Sequence, residues 1–350
     1  YSMAVINEWN LLRTIACLSI VFLHSMTMVS RINEPSQIEL FTFLQIILCY
    51  ATPTFLVLSA IILSNQYPQS LPSGFWKKRF KWIYVPFLFF GFIDALVLMH
   101  KGNAIILSDK LINNMVFGLY EGWFVLVIFQ FYILHFLVIH LKVSMKWIVP
   151  ISLVTMILYL NILNGGHPFV GEYKSYLKIA FFAWIGYFSI AFIIGKYYKG
   201  LAKTLKKYRW LTLLSLIVSV LLIYYNYQTG FTSVNSRRWD LIPLVFSVTM
   251  FVIAWGQSVP SFRVVSMISN YSFGIYLVHW QLQRYITDPI VELFPNIATQ
   301  VVGLFIASVI LSIITIKLVS LLPFGSYLVG KVKKAKPKEI IGTKEVAKAS

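Results

Sequence analysis

Ten long apolar stretches run through this chain of 350 residues. Each is close to the ~20 residues that a helix needs to cross the hydrocarbon core of a membrane. Hydrophobic residues make up 58% of the chain and charged residues only 12%, which excludes a soluble domain of this size. Because an open sheet cannot span lipid, the stretches predict an all-α, polytopic integral membrane protein with about ten transmembrane helices. The predicted spans are residues 11–29, 41–63, 82–100, 123–141, 146–163, 177–195, 208–226, 240–257, 265–283 and 298–322.

Lysine and arginine are distributed unevenly between the loops that join these stretches. Loops on one side, together with the C-terminal segment, hold 20 of the 30 Lys and Arg residues, and loops on the other side hold 8. By the positive-inside rule the richer side is cytoplasmic. We therefore expect both termini in the cytoplasm and a multi-pass location in the cell (plasma) membrane. The net charge of +18 follows from this topology and does not indicate a nucleic-acid partner.

Composition divides the chain into two parts. Residues 3–330 contain the apolar stretches and form the predicted membrane domain. Residues 331–350 alternate lysine with small residues, which predicts a basic, disordered cytoplasmic tail in contact with lipid headgroups. Two isolated cysteines, Cys17 and Cys49, define neither a metal site nor a disulfide framework. Since the sequence also lacks metalloprotease and phosphate-loop motifs, we expect no metal and no tightly bound cofactor.

Two ionisable residues, Arg13 and His24, lie inside the first apolar stretch. On a helix, their separation corresponds to three turns plus about 20°, so both side chains lie on one face, roughly 16 Å apart along the axis. Charged groups inside a membrane span usually face a protein interior or a water-filled route, and they are functional candidates for that reason.

Four segments carry a family resemblance. The first stretch has Arg13, ten further residues and His24, with Glu8 ahead of the arginine. Three later segments follow in order, Pro53 to Ala60, Trp76 to Pro86, and Tyr271-Ser-Phe-Gly-Ile-Tyr-Leu-Val-His279-Trp. Together they resemble the integral-membrane acyltransferase-3 family, although Asn10 stands where that family often has an acidic residue. The chain is similar to its standalone branch, which includes O-succinyltransferase-like proteins of intercellular-adhesion polysaccharide loci.

The resemblance implies transfer of an acyl group, acetyl or succinyl, from cytoplasmic acyl-CoA to a hydroxyl group. The acceptor would be a cell-surface polysaccharide or a lipid-linked sugar, so the expected partners are acyl-CoA, this glycan and membrane lipids. The alternative is an exporter or transporter of a polysaccharide or lipid-linked sugar, because many spans with buried charge also suit a translocation pathway. The sequence shows no inverted repeat, which disfavours this alternative.

Three residues are candidates for the chemistry. His24 is the expected general base, since neutral imidazole suits proton abstraction from a hydroxyl near neutral pH. His279 reaches a similar depth on a late helix and is expected to share one cavity with His24. Asp94 is an intramembrane carboxylate that needs a partner, and Arg13 or either histidine would serve. For His24 and Asp94 the alternative is a structural hydrogen bond, and for His279 it is a supporting role that holds the site together. No serine or cysteine nucleophile accompanies a base, which favours direct attack.

Basic residues are the candidates for binding the donor. Arg13 is expected to meet the thioester or pyrophosphate part of CoA, where a planar guanidinium pairs with oxyanions. Lys78, Arg79 and Lys81 are expected to bind CoA phosphates. The alternatives are a snorkelling anchor for Arg13 and the ordinary positive-inside bias for the cluster.

Residues near the opposite membrane face are the candidates for binding the acceptor. Glu121 and Trp123 lie at the predicted outer mouth of the fourth span, and Tyr276 lies on the late helix with His279. An aromatic-belt position is the alternative for Trp123. Arg237 and Arg238, in an outer loop, favour an anionic acceptor, and a membrane-interface anchor is the alternative for this loop.

Overall fold

The computed structural model describes residues 6–33, 40–166 and 168–330. Throughout these residues the regular structure is helical and no strand forms, which confirms the predicted all-α class. Short 3₁₀ helices, Glu121–Trp123 and Phe181–Ala183, precede α7 and α10, and a π-helical turn, Phe80–Tyr84, joins α4 to α5. The α-helices are α1 (Asn7–Ser30), α2 (Phe41–Leu48), α3 (Ala51–Gln66), α4 (Phe75–Arg79), α5 (Val85–His100), α6 (Leu107–Met115), α7 (Phe124–His140), α8 (Met145–Asn164), α9 (Pro168–Leu177), α10 (Ile185–Lys196), α11 (Tyr198–Lys207), α12 (Arg209–Gln228), α13 (Leu241–Gly256), α14 (Arg263–Leu293), α15 (Ile297–Leu321) and α16 (Gly325–Leu328).

Seven helical segments of the described chain are long and apolar enough to cross a membrane. Two further apolar helices, α10 and α13, are shorter. Helix α14 has 31 residues, but its second half carries polar and charged side chains. Nine of the ten predicted stretches therefore lie largely on helix, the stretch at 177–195 is helical only in part, and seven of the ten meet both the length and the hydropathy required. These seven segments are Asn7–Ser30, Phe41–Gln66, Phe75–His100, Glu121–His140, Met145–Asn164, Arg209–Gln228 and Ile297–Leu321.

The stretch predicted at residues 177–195 is only partly α-helical. Ala180 is extended, with φ −57° and ψ 138°, and α10 begins only at Ile185. The indole nitrogen of Trp184 donates a hydrogen bond to the carbonyl oxygen of Lys178, at 3.0 Å, which holds this bend closed. Hydropathy alone did not reveal the break, because the residues from Ile179 to Ile185 are all apolar.

Helix α1 lies at the centre of the bundle. It packs against α3, α13, α14 and α15, and α3 in turn packs against α10. Leu12, Cys17 and Val21 on α1 are fully buried. The helix that carries Arg13 and His24 is thus enclosed by protein, as expected for ionisable groups within a membrane span.

Helix α8 shows how the outside of the bundle meets lipid. Its large exposed apolar side chains recur at intervals of three or four residues, which places them along one helix face. Such a continuous apolar face suits the hydrocarbon core and would be costly in water. This pattern supports a multi-pass membrane protein. The exposed residues are Trp147, Ile151, Val154, Leu158 and Ile162.

The predicted C-terminal tail, residues 331–350, lies outside the described residues, as do residues 3–5 of the predicted membrane domain.

Candidate active site

His24 and His279 are in direct contact. Because α1 packs along α14, the Nδ1 atom of His24 lies 2.7 Å from the Nε2 atom of His279. The two rings are nearly parallel, with centroids 5.0 Å apart. The sequence predicted that these histidines share a cavity. The structure places them in direct contact as a hydrogen-bonded pair.

The hydrogen bonds around the pair determine which nitrogen atoms carry protons. The Nδ1 atom of His279 lies 2.8 Å from the carbonyl oxygen of Ile275, which can only accept, so His279 carries its proton on Nδ1. Its Nε2 atom then accepts a hydrogen bond from Nδ1 of His24. In the neutral pair, Nε2 of His24 therefore has a free lone pair.

Glu121 lies beside that free nitrogen. Its Oε2 atom is 3.8 Å from Nε2 of His24, a separation too long for a direct hydrogen bond. Because both atoms accept, a hydroxyl that enters this space donates its single proton to one of them. The side chains of His24 and Glu121 are 14% and 29% exposed, whereas His279 is fully buried. His24 is thus the histidine that a substrate can reach, and His279 orients it.

Three cationic side chains, Lys178, Arg237 and Arg284, interact electrostatically with Glu121. They come from the bend before α10, from the loop between α12 and α13, and from α14. The accessible side of the histidine pair is therefore polar and carries both signs of charge.

A cavity of about 1550 Å³ occupies the other end of α1 and α14. Its wall includes five cationic side chains, and none of the described residues that line it is acidic. Arg13 also donates a hydrogen bond to Oγ of Ser269, at 3.2 Å. The Arg79 guanidinium lies over the rings of Phe75 and Tyr132, 4.9 and 5.2 Å from their centroids. The cationic residues are Arg13, Lys78, Arg79, Arg263 and Lys317.

Lys81 is separated from this cavity. Its Nζ atom lies 4.1 Å from the centroid of the Tyr327 ring, and Lys81 is not among the lining residues. The π-helical turn that begins at Phe80 changes the angular spacing after Arg79, so Lys81 lies against Tyr327 of α16 while Trp82 and Ile83 line the cavity.

Asp94 does not pair with Arg13, His24 or His279, so that part of the sequence prediction is wrong. Its Oδ1 atom accepts a hydrogen bond from Arg284 at 2.7 Å, and Lys110 lies 3.4 Å from Oδ2. The amide groups of Gln281 and Asn114 also donate to the carboxylate; together these contacts join α5, α6 and α14. Arg284 reaches Asp94 because α14 continues past His279, beyond the end of the predicted span at residue 283.

Replacing Asp94 with asparagine is expected to lower the free energy of unfolding by about 1.5–3 kcal/mol, because charge-assisted hydrogen bonds to Arg284 are lost. Equilibrium unfolding in detergent micelles measures this, with acyl transfer assayed on the same samples. Because Asp94 does not touch the histidine pair, the folded fraction should retain its activity. Full loss of activity with unchanged unfolding would instead place Asp94 in the chemistry.

Two predicted acceptor-binding residues are buried away from the accessible surface. Trp123 is 9% exposed, and its ring packs on Trp184 with centroids 5.3 Å apart, so it supports the segment that carries Glu121 and does not belong to an aromatic belt. Arg238 is fully buried in a two-point ion pair with Asp240, with distances of 2.9 and 2.6 Å. Arg238 is therefore not free to bind an anionic acceptor.

Sequence reasoning missed several residues of the cavity wall. Arg263 entered the sequence prediction only as one of the loop charges that indicate the topology. Lys317 is a charged residue inside an apolar stretch, and that position could have identified it as a functional candidate. Phe55 and Phe124 line the cavity as well, but one apolar residue within an apolar helix gives no signal of its own.

Comparisons with known proteins identify the family of the chain. Residues 6–317 match the family described as an acyltransferase domain. A Bacillus subtilis protein named as a membrane-bound acyltransferase is 33% identical over 78% of this chain and 80% of its own length. Proteins of Staphylococcus aureus and Staphylococcus epidermidis named for export of poly-β-1,6-N-acetyl-D-glucosamine are 24% and 25% identical, over 77% of this chain and 79% and 78% of theirs. No solved structure matches the chain significantly.

The family match covers most of the chain, including both histidines, the basic cluster and the late helix. The chain therefore belongs to the acyltransferase-3 family of acyltransferase domains, and it is a membrane-bound enzyme that transfers acyl groups other than amino-acyl groups.

Proposed function

We propose that the protein transfers an acetyl or succinyl group from cytoplasmic acyl-CoA to a hydroxyl of a cell-surface polysaccharide or lipid-linked sugar. The observation that carries this proposal is the alignment of the cationic cavity and the histidine pair along α1 and α14. One end of these helices offers positive charge, and the other offers a neutral imidazole with a free lone pair. Membrane lipids surround the bundle.

The cavity suits an acyl-CoA donor in both size and charge. Its volume of about 1550 Å³ exceeds the roughly 300–1,000 Å³ that is usual for small-molecule pockets. Arginine pairs with phosphate oxygens in a two-point geometry, and lysine acts as a compact positive charge. Arg13, Lys78 and Arg79 are therefore the proposed contacts of the CoA phosphates, joined by Arg263 and Lys317.

In the proposed reaction, Nε2 of His24 takes the proton of the acceptor hydroxyl while that oxygen attacks the thioester carbonyl carbon. The bond between carbon and sulfur then breaks, CoA leaves as the thiolate, and the imidazolium returns the proton to that sulfur. His279 holds His24 in the required tautomer, and the Glu121 carboxylate stabilises the imidazolium. The donor and acceptor supply all the atoms, so no resident cofactor or metal is needed.

The proposed topology has ten membrane crossings with both termini in the cytoplasm. It adds α10, α13 and α14 to the seven long apolar segments, and it agrees with the uneven distribution of Lys and Arg between the loops. The cationic cavity then lies on the cytoplasmic side, and His24 lies in the outer half of the membrane.

Replacing Arg13 with alanine is expected to raise KM for acyl-CoA by about 10- to 100-fold with little change in kcat, since one charged hydrogen-bond donor to the donor substrate is lost. Steady-state assays on protein in nanodiscs measure this. Lys203→Ala is the matched control, because Lys203 is exposed on α11, away from the cavity. Equal effects of the two substitutions would mean that overall charge, not the cavity, determines binding.

Acyl-CoA turnover by the purified protein tests the function itself. Acetyl-CoA and succinyl-CoA are supplied separately, and release of the CoA thiol is followed with and without a poly-N-acetylglucosamine acceptor. Turnover that rises with acceptor supports the proposal. If neither turnover nor binding of any acyl-CoA is seen, the proposal is overturned in favour of an exporter, the role for which the staphylococcal relatives are named.

A further inference from the structure

Three aromatic rings close the inner end of the cationic cavity. Phe55 from α3, Phe124 from the start of α7 and Tyr276 from α14 all belong to its lining. The Phe124 and Tyr276 ring centroids are 4.0 Å apart, and those of Phe55 and Tyr276 are 5.9 Å apart. Rings at 4.0 Å are in van der Waals contact, so no acyl group fits between Phe124 and Tyr276 as they stand.

These rings separate the cavity from the histidine pair. Tyr276 precedes His279 by one turn of α14, and their ring centroids are 5.9 Å apart. Phe124 follows Glu121 by one turn. Both α14 and the segment from Glu121 to Phe124 therefore run from the cavity wall to the active site. Neither His24 nor His279 lines the cavity. A group delivered from the cavity to Nε2 of His24 therefore has to pass the three rings.

Of the two rings in contact, Phe124 is the one free to yield. The hydroxyl of Tyr276 interacts with the side chain of Thr52, which fixes the Tyr276 ring. Phe124 is buried and has no polar atom on its side chain, so all its contacts, including the ring contacts with Tyr276 and Phe273, are apolar. Rotation of Phe124 away from Tyr276 would open a passage without breaking a hydrogen bond.

We propose that Phe55, Phe124 and Tyr276 form a gate between the donor cavity and the histidine pair, and that the Phe124 side chain limits the size of the acyl group that is transferred. This rests on the proposed function, because the gate acts on an acyl group carried by CoA. With the two rings in contact the passage is closed, which separates water in the cavity from the histidine pair. Rotation of Phe124 opens the passage to a width that a short acyl group passes and a long one does not.

The test compares acetyl-, butyryl- and hexanoyl-CoA as donors for the unaltered protein and for Phe124→Ala, in nanodiscs with acceptor present. In the unaltered protein, kcat/KM is expected to fall steeply from acetyl to hexanoyl. In Phe124→Ala, the ratio of hexanoyl to acetyl kcat/KM is expected to rise at least about tenfold, since each methylene that a pocket excludes or admits changes discrimination by that order. Phe124→Leu, which preserves more of the packing, should show a smaller rise in the same direction.

Phe131→Ala is the matched control. It makes the same substitution two turns further along α7, where the ring packs on Phe188 outside the cavity lining. This variant should keep the chain-length preference of the unaltered protein, whatever its loss of stability. An unchanged preference in both Phe124 variants, with the unaltered protein active, would overturn the gate while leaving the proposed function intact. Absence of acyl-CoA turnover in the unaltered protein would instead overturn the proposed function.

Discussion

Replacing His24 with alanine is expected to lower acyl transfer by about 10²- to 10⁴-fold, the usual contribution of a positioned general base. His24 is the accessible member of the pair, and its Nε2 atom faces the space beside Glu121. No other described histidine has a nitrogen in that space. The measurement is kcat for CoA release with saturating acyl-CoA and acceptor, with acyl-CoA binding measured on the same protein to confirm that the fold and the cavity are intact.

Two His279 variants test how the pair works. His279→Gln retains a side-chain oxygen that accepts the proton on Nδ1 of His24, whereas His279→Ala removes the acceptor. We therefore expect the glutamine variant to keep more activity than the alanine variant. Turnover by His24→Ala within tenfold of the unaltered protein would contradict the assigned base, and equal loss in both His279 variants would contradict the tautomer argument.

Replacing Asp240 with alanine is expected to lower the free energy of unfolding by about 3–5 kcal/mol, because it leaves the Arg238 guanidinium buried without its counter-ion. Both side chains are fully buried, and the ion pair joins Arg238 of the loop before α13 to Asp240, the N-cap residue of that helix. Arg238 also donates to the carbonyl oxygens of Phe231 and Ser233, and Asn226 of α12 donates to Asp240. Equilibrium unfolding in mixed detergent micelles measures the loss.

Two further proteins complete this experiment. Glu172→Ala removes an exposed acidic residue and should change stability by no more than about 0.5 kcal/mol. The double variant Arg238→Met with Asp240→Leu removes both charges and should recover most of the loss, since a buried ion pair can often be replaced by apolar groups. A loss below about 1 kcal/mol in Asp240→Ala would show that the buried guanidinium finds another partner.

The fold was largely predictable, because hydropathy alone places helices in lipid. Nine of the ten apolar stretches lie largely on helix. The spacing of Arg13 and His24 predicted one shared face of α1, and both side chains contact α14. His279 was predicted to share a cavity with His24, and the two rings are in contact. These successes depend on local periodicity and on composition, which the sequence carries directly.

The remaining features depend on contacts that no local pattern records. Asp94 pairs with Arg284, 190 residues away, and its choice of partner is set by how far α14 extends past His279. Lys81 was grouped with Lys78 and Arg79, but a π-helical turn separates their faces. Arg238 did carry a usable signal, an aspartate two residues later, which favours a local ion pair over an anionic ligand.

The central claim is that an acyl group passes from a donor on the cytoplasmic side to an acceptor on the outer side. Proteoliposomes of known orientation test it most directly, with acetyl-CoA labelled in its acyl group enclosed on the side of the cationic cavity and acceptor glycan supplied only on the other side. The account predicts that label appears on the external glycan, that free CoA thiol stays with the donor, and that His24→Ala abolishes both. Transfer only when donor and acceptor share one side, or movement of glycan without any acyl transfer, would contradict it.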